Sequence, residues 1–289
     1  MQWSDLPQSV RAAVEQYVGT VSQTIEITGG QNSDVSAVLH GEAGRPVFLK
    51  GVKGVSRRMR WLRNEIKAGQ LAAGIAPDVL FHADVDGWLV VGFEYVPGRA
   101  ASLAPDSPDL PLVASAVEAI STVRAPGLRP MRDRWGVTDW WSKIADEAPS
   151  AVESWDVDAM SRWAALVPES VDGDRLLHTD LHGDQFLLGP DNSIRVIDWG
   201  FPGAGAAWID TAFLALRLVE AGHHPDDAET WARSLTCFSD VSREALTAFA
   251  VYVAGLWSYR AVTDAVPGAD RRARLAREYA AWRLASTRP

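Results

Sequence analysis

Disulfide chemistry is the first thing this 289-residue chain excludes, because its one cysteine, Cys237, has no partner within the chain. It also lacks the run of ~20 uninterrupted apolar residues that a membrane span needs. The best candidate, residues 245–257, is too short, and the spacing of Leu246, Phe249, Val253 and Leu256 predicts one buried face of a soluble helix. The opening MQWSDLPQSV has no basic segment followed by an apolar core, so no secretory leader is expected and the expected compartment is the cytoplasm. Positive charge is scarce too: 28 Lys and Arg stand against 37 Asp and Glu, a formal net charge of -9. That balance excludes a general nucleic-acid binder, which needs a basic footprint to neutralise phosphates. Residues 1–97 are nearly neutral, with 9 basic against 10 acidic side chains, so almost all of the excess acid lies beyond them. An acidic second part steers cationic ligands, and it equally serves solubility.

What is present is ample apolar material, 47% of the residues and 13 tryptophans among them, enough for one large domain or two modest ones. Hydrophobic periodicity predicts a helix over 7–19 and strands over 21–28, 34–39 and 45–52. The turn Gly29-Gly30-Gln31-Asn32-Ser33 between the first two strands leaves backbone N–H groups open to a phosphate, although an ordinary hairpin turn has the same composition. The third strand carries Lys50. A helix over 55–73 follows, with Val55, Met59, Leu62 and Ile66 as its apolar stripe and Glu65 at the margin. Two further strands, 79–83 and 88–95, end at Pro97-Gly98, where a boundary divides the chain into 1–97 and 98–289. Beyond it the patterns are helical: 112–123, 139–148, 156–167, and three helices within 225–286, with a loop at 125–137. The segment 200–222 begins Gly-rich and becomes a helix apolar on most sides, hence an interior one. Trp140, Trp141 and Trp163 are large apolar filler or, alternatively, surfaces on which a ring could stack. Five strands followed by helices make an α+β fold.

The organising stretch is 178–199, HTDLHGDQFLLGPDNSIRVIDW. His178, Asp180, His182 and Asp184 alternate along its first part. Two short apolar runs, 186–188 and 194–197, are separated by Gly189, Pro190, Asp191 and Asn192, which predicts a β-hairpin with Asp180 and Asp198 at its two ends. Two carboxylates so placed imply a cation between them.

The order H-x-D, an amide five residues after the Asp, a short hairpin and then an apolar pair with D-W resembles the catalytic segment of the aminoglycoside phosphotransferase family, relatives of the protein kinases. The resemblance implies a two-lobed protein-kinase-like fold, with a small lobe of a five-stranded antiparallel sheet plus helix and a larger, mostly helical lobe. It implies ATP or GTP and Mg²⁺ as cofactors, and a small-molecule hydroxyl as phosphoryl acceptor. Carried over residue by residue, Asp180 is the catalytic base, while Gln185 and Asp198 hold Mg²⁺. Lys50, braced by Glu65, holds the nucleotide phosphates, and Gly30 and Ser33 lie in the phosphate-facing turn. GFEYVPG at 92–98 resembles the hinge, nominating Glu94, Tyr95 and Val96 for backbone contacts to the base. His178 and Asp210 support the catalytic loop. His182, Asp184, Glu220 and Asp227 are candidate substrate contacts, with Asp226 and Glu229 beside them. The family pattern has Asn where this chain has Gln185, whose amide oxygen sits on an arm one methylene longer. Acceptors in the family range from antibiotics to choline, amino-alcohols and sugars, and the acidic second part leans towards a cationic one.

Two other readings compete. In one, HTDLHGD is a metal-ligand cluster of a metallohydrolase or oxygenase, its four polar side chains projecting from one face of an extended segment. In the other, Gln185 marks a catalytically inactive kinase-like binding protein. A protein kinase is disfavoured, since there is no G-x-G-x-x-G in the first turn and no APE-like segment after Asp198.

Overall fold

A computed structural model describes residues 1–27, 32–42, 44–263 and 268–286. The chain divides into two compact units: Met1–Ala101 together with Gly183–Pro202, and Ser102–His182 together with the chain from Gly203 onward. The first unit thus takes in the hairpin stretch 183–202, whereas the sequence boundary at 97/98 follows chain order.

The first unit is a five-stranded antiparallel sheet in the order β1-β2-β3-β5-β4, from β1 (Val21–Glu26), β2 (Val35–Gly41), β3 (Val47–Lys53), β4 (Val79–Val85) and β5 (Trp88–Glu94). Helix α1 (Gln8–Val18) covers one face: Val10, Val14 and Val18 pack with Leu39, Leu49, Trp88 and Val90. Helix α2 (Arg57–Leu71) covers the other, where Leu62 meets Val52, Leu89, Val91 and Phe93. Side chains alternate along a strand, so Leu49 on β3 belongs to the α1 face and its neighbour Lys50 to the α2 face. Ser56 caps α2 by accepting from Met59 N at 3.2 Å. The predicted stripe on α2 is corrected at one end: Val55 lies before the cap and is fully exposed, and the buried face is Leu62, Glu65, Ala68 and Gly69.

After the sheet, β6 (Arg99–Ala100) pairs with β8 (Phe186–Leu188), which pairs with β9 (Ile194–Val196) as the predicted hairpin. Gly98 is required there: a Cβ would lie 2.4 Å from the carbonyl oxygen of Leu188. Asn192 takes positive φ at the hairpin turn, and Ser193 N donates to Asp191 Oδ1 at 3.0 Å.

The second unit is mostly helical. It contains α3 (Leu110–Thr122), α4 (Met131–Trp135), α5 (Trp140–Glu147), α6 (Val157–Ala164) and α7 (Val167–Ser170). These are followed by α8 (Ile209–Glu220), α9 (Pro225–Arg233), α10 (Arg243–Thr263) and α11 (Ala269–Ser286). A two-stranded ladder, β7 (Arg175–Leu177) with β10 (Gly203–Gly205), joins them. Two features differ from expectation. Residues 125–137 hold a short helix, α4, because Met131 and Trp135, four apart, are both buried in the core. The run 245–257 is only part of a 21-residue helix, α10, which is long and apolar enough by length and composition to cross a membrane; 67% of its apolar window is buried inside the unit. It is buried nearly all round, from Leu246 to Leu256 without a break, instead of on one face. Helix α8 is buried continuously from Ile209 to Leu218, as its composition predicts.

Candidate active site

In the first unit, Lys50 is the centre of a three-residue ion cluster. Its Nζ lies 2.8 Å from Glu65 Oε2 and is also hydrogen-bonded to Asp198 Oδ1. Burial pushes the ammonium down, but the two carboxylates outweigh it and hold Lys50 above its ordinary range. Burial has the opposite effect on Glu65: it raises the carboxyl against the pull of Lys50. Helix α2 is fixed to the segment after Asp198 as well, through Asn64 Nδ2 donating to the Gly200 carbonyl at 3.0 Å and Trp61 against Phe201 with centroids 4.9 Å apart. Asp198 itself has φ 62°, a left-handed conformation uncommon outside glycine and a sign of backbone strain held by its surroundings.

Gln185 closes the short 3₁₀ turn Gly183–Gln185 ahead of β8, and its carbonyl accepts from Ile197 N at 2.9 Å across the hairpin. The same open end of the hairpin therefore carries Gln185 and Asp198. Gln185 is 7% exposed, and its side-chain Oε1 is buried without a hydrogen-bond partner. An orphaned amide oxygen at the same hairpin end as a carboxylate fits a hard divalent cation such as Mg²⁺, which takes oxygen ligands.

Lys50, Glu65 and Asp198 border a cavity of about 560 Å³ formed wholly by the first unit; Gln185 is not in its lining. Its walls are polar at Lys50, Glu65, Asp184 and Asp198 and apolar at Val38, Phe93, Leu187 and Ile197. Ser33 lines it and is hydrogen-bonded through Oγ to Ser36 Oγ at 2.6 Å. Gly30 lies outside the described residues. Tyr95 and Val96 line the cavity, and so does Glu94. The Glu94 N–H, however, is already spent on the Asp78 carbonyl at 2.8 Å, so as a backbone donor it is corrected.

In the second unit, the loop after β7 hangs on Asp210. This buried carboxylate, in the first turn of α8, accepts from His178 N at 2.7 Å and Thr179 N at 2.9 Å. Burial raises its carboxyl, against His178 and these two backbone donors. Thr179 takes φ 65° and turns the chain into Asp180, whose N–H donates to His178 Nδ1 at 3.3 Å. The Asp180 side chain is 41% exposed and lies 3.9 Å from Arg217 Nη2. Sequence reasoning missed Arg217, although a lone arginine inside an otherwise apolar helix was a usable signal.

The four alternating polar residues of HTDLHGD do not project as an extended ligand set. His178 is fully buried, His182 and Asp180 are half-buried, and Asp184 is exposed on the 3₁₀ turn. Among the described residues no three His, Cys, Asp or Glu side chains come together to hold a metal ion, so the metallohydrolase reading loses its basis. Among the expected cation contacts on α8 and α9, two carboxylates are held by arginines. Glu220 is bonded to Arg217 at 2.9 Å and to Arg271 at 2.5 Å, Glu229 is paired with Arg233 and Arg283, and Asp226 with His224. Asp227 is exposed in the first turn of α9.

Comparison with known proteins decides the relationship. The model of the phosphotransferase enzyme family matches residues 24–249. The chain belongs to that family. Membership makes it a small-molecule phosphotransferase with the two-lobed, protein-kinase-like α+β fold. No curated protein matches the sequence. Solved structures of like fold include a thermostable mutant of aminoglycoside phosphotransferase APH(4)-Ia in ternary complex with AMP-PNP and hygromycin B: TM-score 0.65 and 16% identity, covering 97% of this chain and 99% of that one. They also include the choline kinase LicA from Streptococcus pneumoniae, at TM-score 0.63 and 14% identity, covering 94% and 98%. A putative fructosamine-3-kinase from Haemophilus somnus 129PT gives the same TM-score and identity, covering 94% and 97%.

Proposed function

We propose that this phosphotransferase moves the γ-phosphoryl group of ATP or GTP to a hydroxyl of a small molecule with the help of Mg²⁺. The observation that carries the reading is Lys50 bonded at once to Glu65 and Asp198, in the wall of a cavity that has both polar and apolar lining. Such a cavity suits a nucleotide, base inward and phosphates at the lysine. Phosphoryl transfer asks a protein mainly for positioning and charge neutralisation, so each residue has a limited task. Lys50, steered by Glu65, holds the α and β phosphates, and Tyr95 and Val96 offer backbone groups to the base. Asp198 and the orphaned Gln185 oxygen hold Mg²⁺, which when bound neutralises charge on the phosphate oxygens. Asp180 orients the acceptor hydroxyl and takes its proton as the new P–O bond forms. His178 and Asp210 keep the loop of Asp180 in its strained conformation.

Replacing Asp198 by Ala tests this. Calorimetric titration with AMP-PNP is expected to show tight binding that depends on Mg²⁺ in the wild type and no Mg²⁺ dependence in D198A. A D198A protein that binds Mg-AMP-PNP like the wild type removes Asp198 from the metal. The inactive-binder reading stands or falls separately, on whether the wild type consumes ATP when offered antibiotics, choline, amino-alcohols and hexoses. Both antibiotic and primary-metabolite kinases are among the folds it resembles, so both kinds of acceptor belong in that panel.

A further inference from the structure

A protein recognises an organic cation with two devices, free carboxylates and open aromatic faces. Around Asp180 in the second unit, both are occupied by the chain's own cations. Arg217 is 7% exposed despite its charge. Its Nη1 donates to Glu220 Oε2 at 2.9 Å, its Nη2 lies 3.9 Å from Asp180 Oδ1, and its Nε is buried with no hydrogen-bond partner. The other oxygen of Glu220 takes Nε and Nη2 of Arg271, at 3.0 and 2.5 Å. Neither oxygen of Glu220 is left for a ligand cation.

The aromatic faces are filled in the same way. The guanidinium of Arg217 sits 5.2 Å from the centroid of the half-buried Trp257, and Phe213 stacks against that ring at 6.3 Å. Farther along the unit, the half-buried Trp140 and Tyr259 form a second aromatic pair, 5.1 Å between centroids. Lys143 Nζ lies 4.4 Å from the centroid of Tyr259 and 5.8 Å from that of Trp140. Glu147, the carboxylate beside them, accepts from Tyr259 Oη at 3.1 Å and lies 3.9 Å from Lys143. A quaternary ammonium or a polyamine entering here meets arginine and lysine where it needs carboxylate and ring.

We propose that Arg217 is a specificity-determining residue that closes the acceptor end of the second unit to organic cations, so that the phosphoryl acceptor is an uncharged or anionic hydroxyl compound. The inference deepens the proposed function and rests on it, since it takes Asp180 as the residue that meets the acceptor. It also reverses the cationic leaning of the composition: the acidic side chains that could have met a cation here, Glu220 foremost, are bound to arginine.

The test is calorimetric titration of hygromycin B and of choline into the wild type, R217Q and R217K. Neither compound is expected to give a saturable isotherm with the wild type or with R217K, which keeps the positive charge. R217Q frees Asp180, one oxygen of Glu220 and a face of Trp257, and is expected to bind at least one of the two cations at least about tenfold more tightly than the wild type. Equal behaviour of the wild type and R217Q, whether both bind or neither does, overturns the proposal, as does tighter binding by the wild type. Should R217Q fail to fold in a thermal melt, the wild type decides alone: a saturable isotherm with either cation overturns the proposal, and its absence upholds it. Mg-AMP-PNP titrated into the wild type in parallel separates the two levels of the argument. Failure of nucleotide binding strikes the phosphotransferase site itself, whereas nucleotide binding together with cation binding strikes only the acceptor class.

Discussion

The two units hold their key carboxylates by opposite means. Asp198 and Asp180 are equally exposed, 41% of each side chain, yet Asp198 is ion-paired directly to Lys50 while Asp180 keeps an arginine at 3.9 Å. In the first unit the site is a charge arrangement: Lys50 of β3 between two acids, Glu65 of α2 and Asp198 two residues after the end of β9. In the second it is a backbone arrangement, a strained loop suspended from the buried carboxylate of Asp210 by two main-chain N–H groups. A charge arrangement governs how tightly a phosphate and a cation are held, and a backbone arrangement governs where a proton acceptor stands. Changes in the first unit should therefore show in nucleotide affinity, and changes in the second in turnover.

The sharpest way to break this contrast is Asp180→Asn. The substitution keeps the shape of the loop and removes the proposed base, so turnover in an ATP-consumption assay is expected to fall by about 10²–10⁴-fold. Mg-AMP-PNP affinity should stay within about twofold, because no phosphate contact is lost. A fall in affinity as large as the fall in rate would merge the two functions and end the comparison.

Asp210→Ala attacks the suspension itself. It strands two backbone donors, at His178 and Thr179, of which His178 is fully buried. A buried donor without a partner costs about 1–3 kcal/mol, so the variant is expected to lose about 2–4 kcal/mol in denaturant unfolding. It should lose turnover along with stability, since the bond from Thr179 N that helps to hold its left-handed conformation is lost. Wild-type turnover in a destabilised D210A protein would mean that the loop geometry does not depend on its anchor.

A pH titration probes the charge arrangement in the first unit. Burial raises Glu65 above its ordinary 4.5, so on acidification Glu65 takes up a proton earlier than a surface glutamate and releases one side of Lys50. Mg-AMP-PNP affinity of the wild type should fall through a step above pH 4.5 that E65Q lacks. The stability effect has the reverse sense. Because the folded value lies above the unfolded one, Glu65 favours the fold fully below pH 4.5, and this contribution is lost as the pH rises through the folded value. Relative to E65Q, the wild type should therefore gain stability as the pH is lowered towards 4.5. Identical profiles for the two proteins would show that Glu65 does not steer the lysine.

Much of this was legible in the sequence because it is written in local periodicity. The alternation along β3 puts Lys50 on the face opposite Leu49, the helical spacing of Leu62 and Glu65 puts the glutamate on the same side, and the turn 189–192 specifies the hairpin. Features that depend on distant partners were not legible. The pairing of Arg99 with Leu188 joins the hairpin to the sheet unit across the whole α3–α7 region, and no local pattern encodes it. Val55 has the right spacing for the stripe of α2 and falls outside it because Ser56 caps the helix first. Burial of α10 on all sides follows from the helices around it, and its own small residues, Ala248, Ala250, Ala254 and Gly255, permit the close approach. The i,i+3 spacing of Arg217 and Glu220 is local, but the second bond of Glu220, to Arg271, could not be read, because Arg271 lies 51 residues away.

The mildest test asks whether the second unit's scaffold, as distinct from its site, answers to the same rules. Asp139 caps α5, accepting through Oδ1 from Trp141 N at 3.1 Å and Ser142 N at 3.2 Å, while Oδ2 accepts from Ser142 Oγ at 2.7 Å. Burial opposes the charge, but these donors prevail and hold the carboxyl below its ordinary 3.8. A lowered carboxylate stabilises the fold above its unfolded value, and that contribution is lost as the pH falls through the folded one. Asp139→Ala should cost about 1 kcal/mol near neutral pH, read from urea unfolding, with the gap to the wild type closing only in acid below 3.8. Turnover should stay at the wild-type level, because the cap sets the start of a helix and touches neither Asp180 nor Arg217. A D139A protein with lowered turnover and unchanged stability would instead place the start of α5 in the acceptor's path, and the division between scaffold and site in this unit would have to be drawn elsewhere.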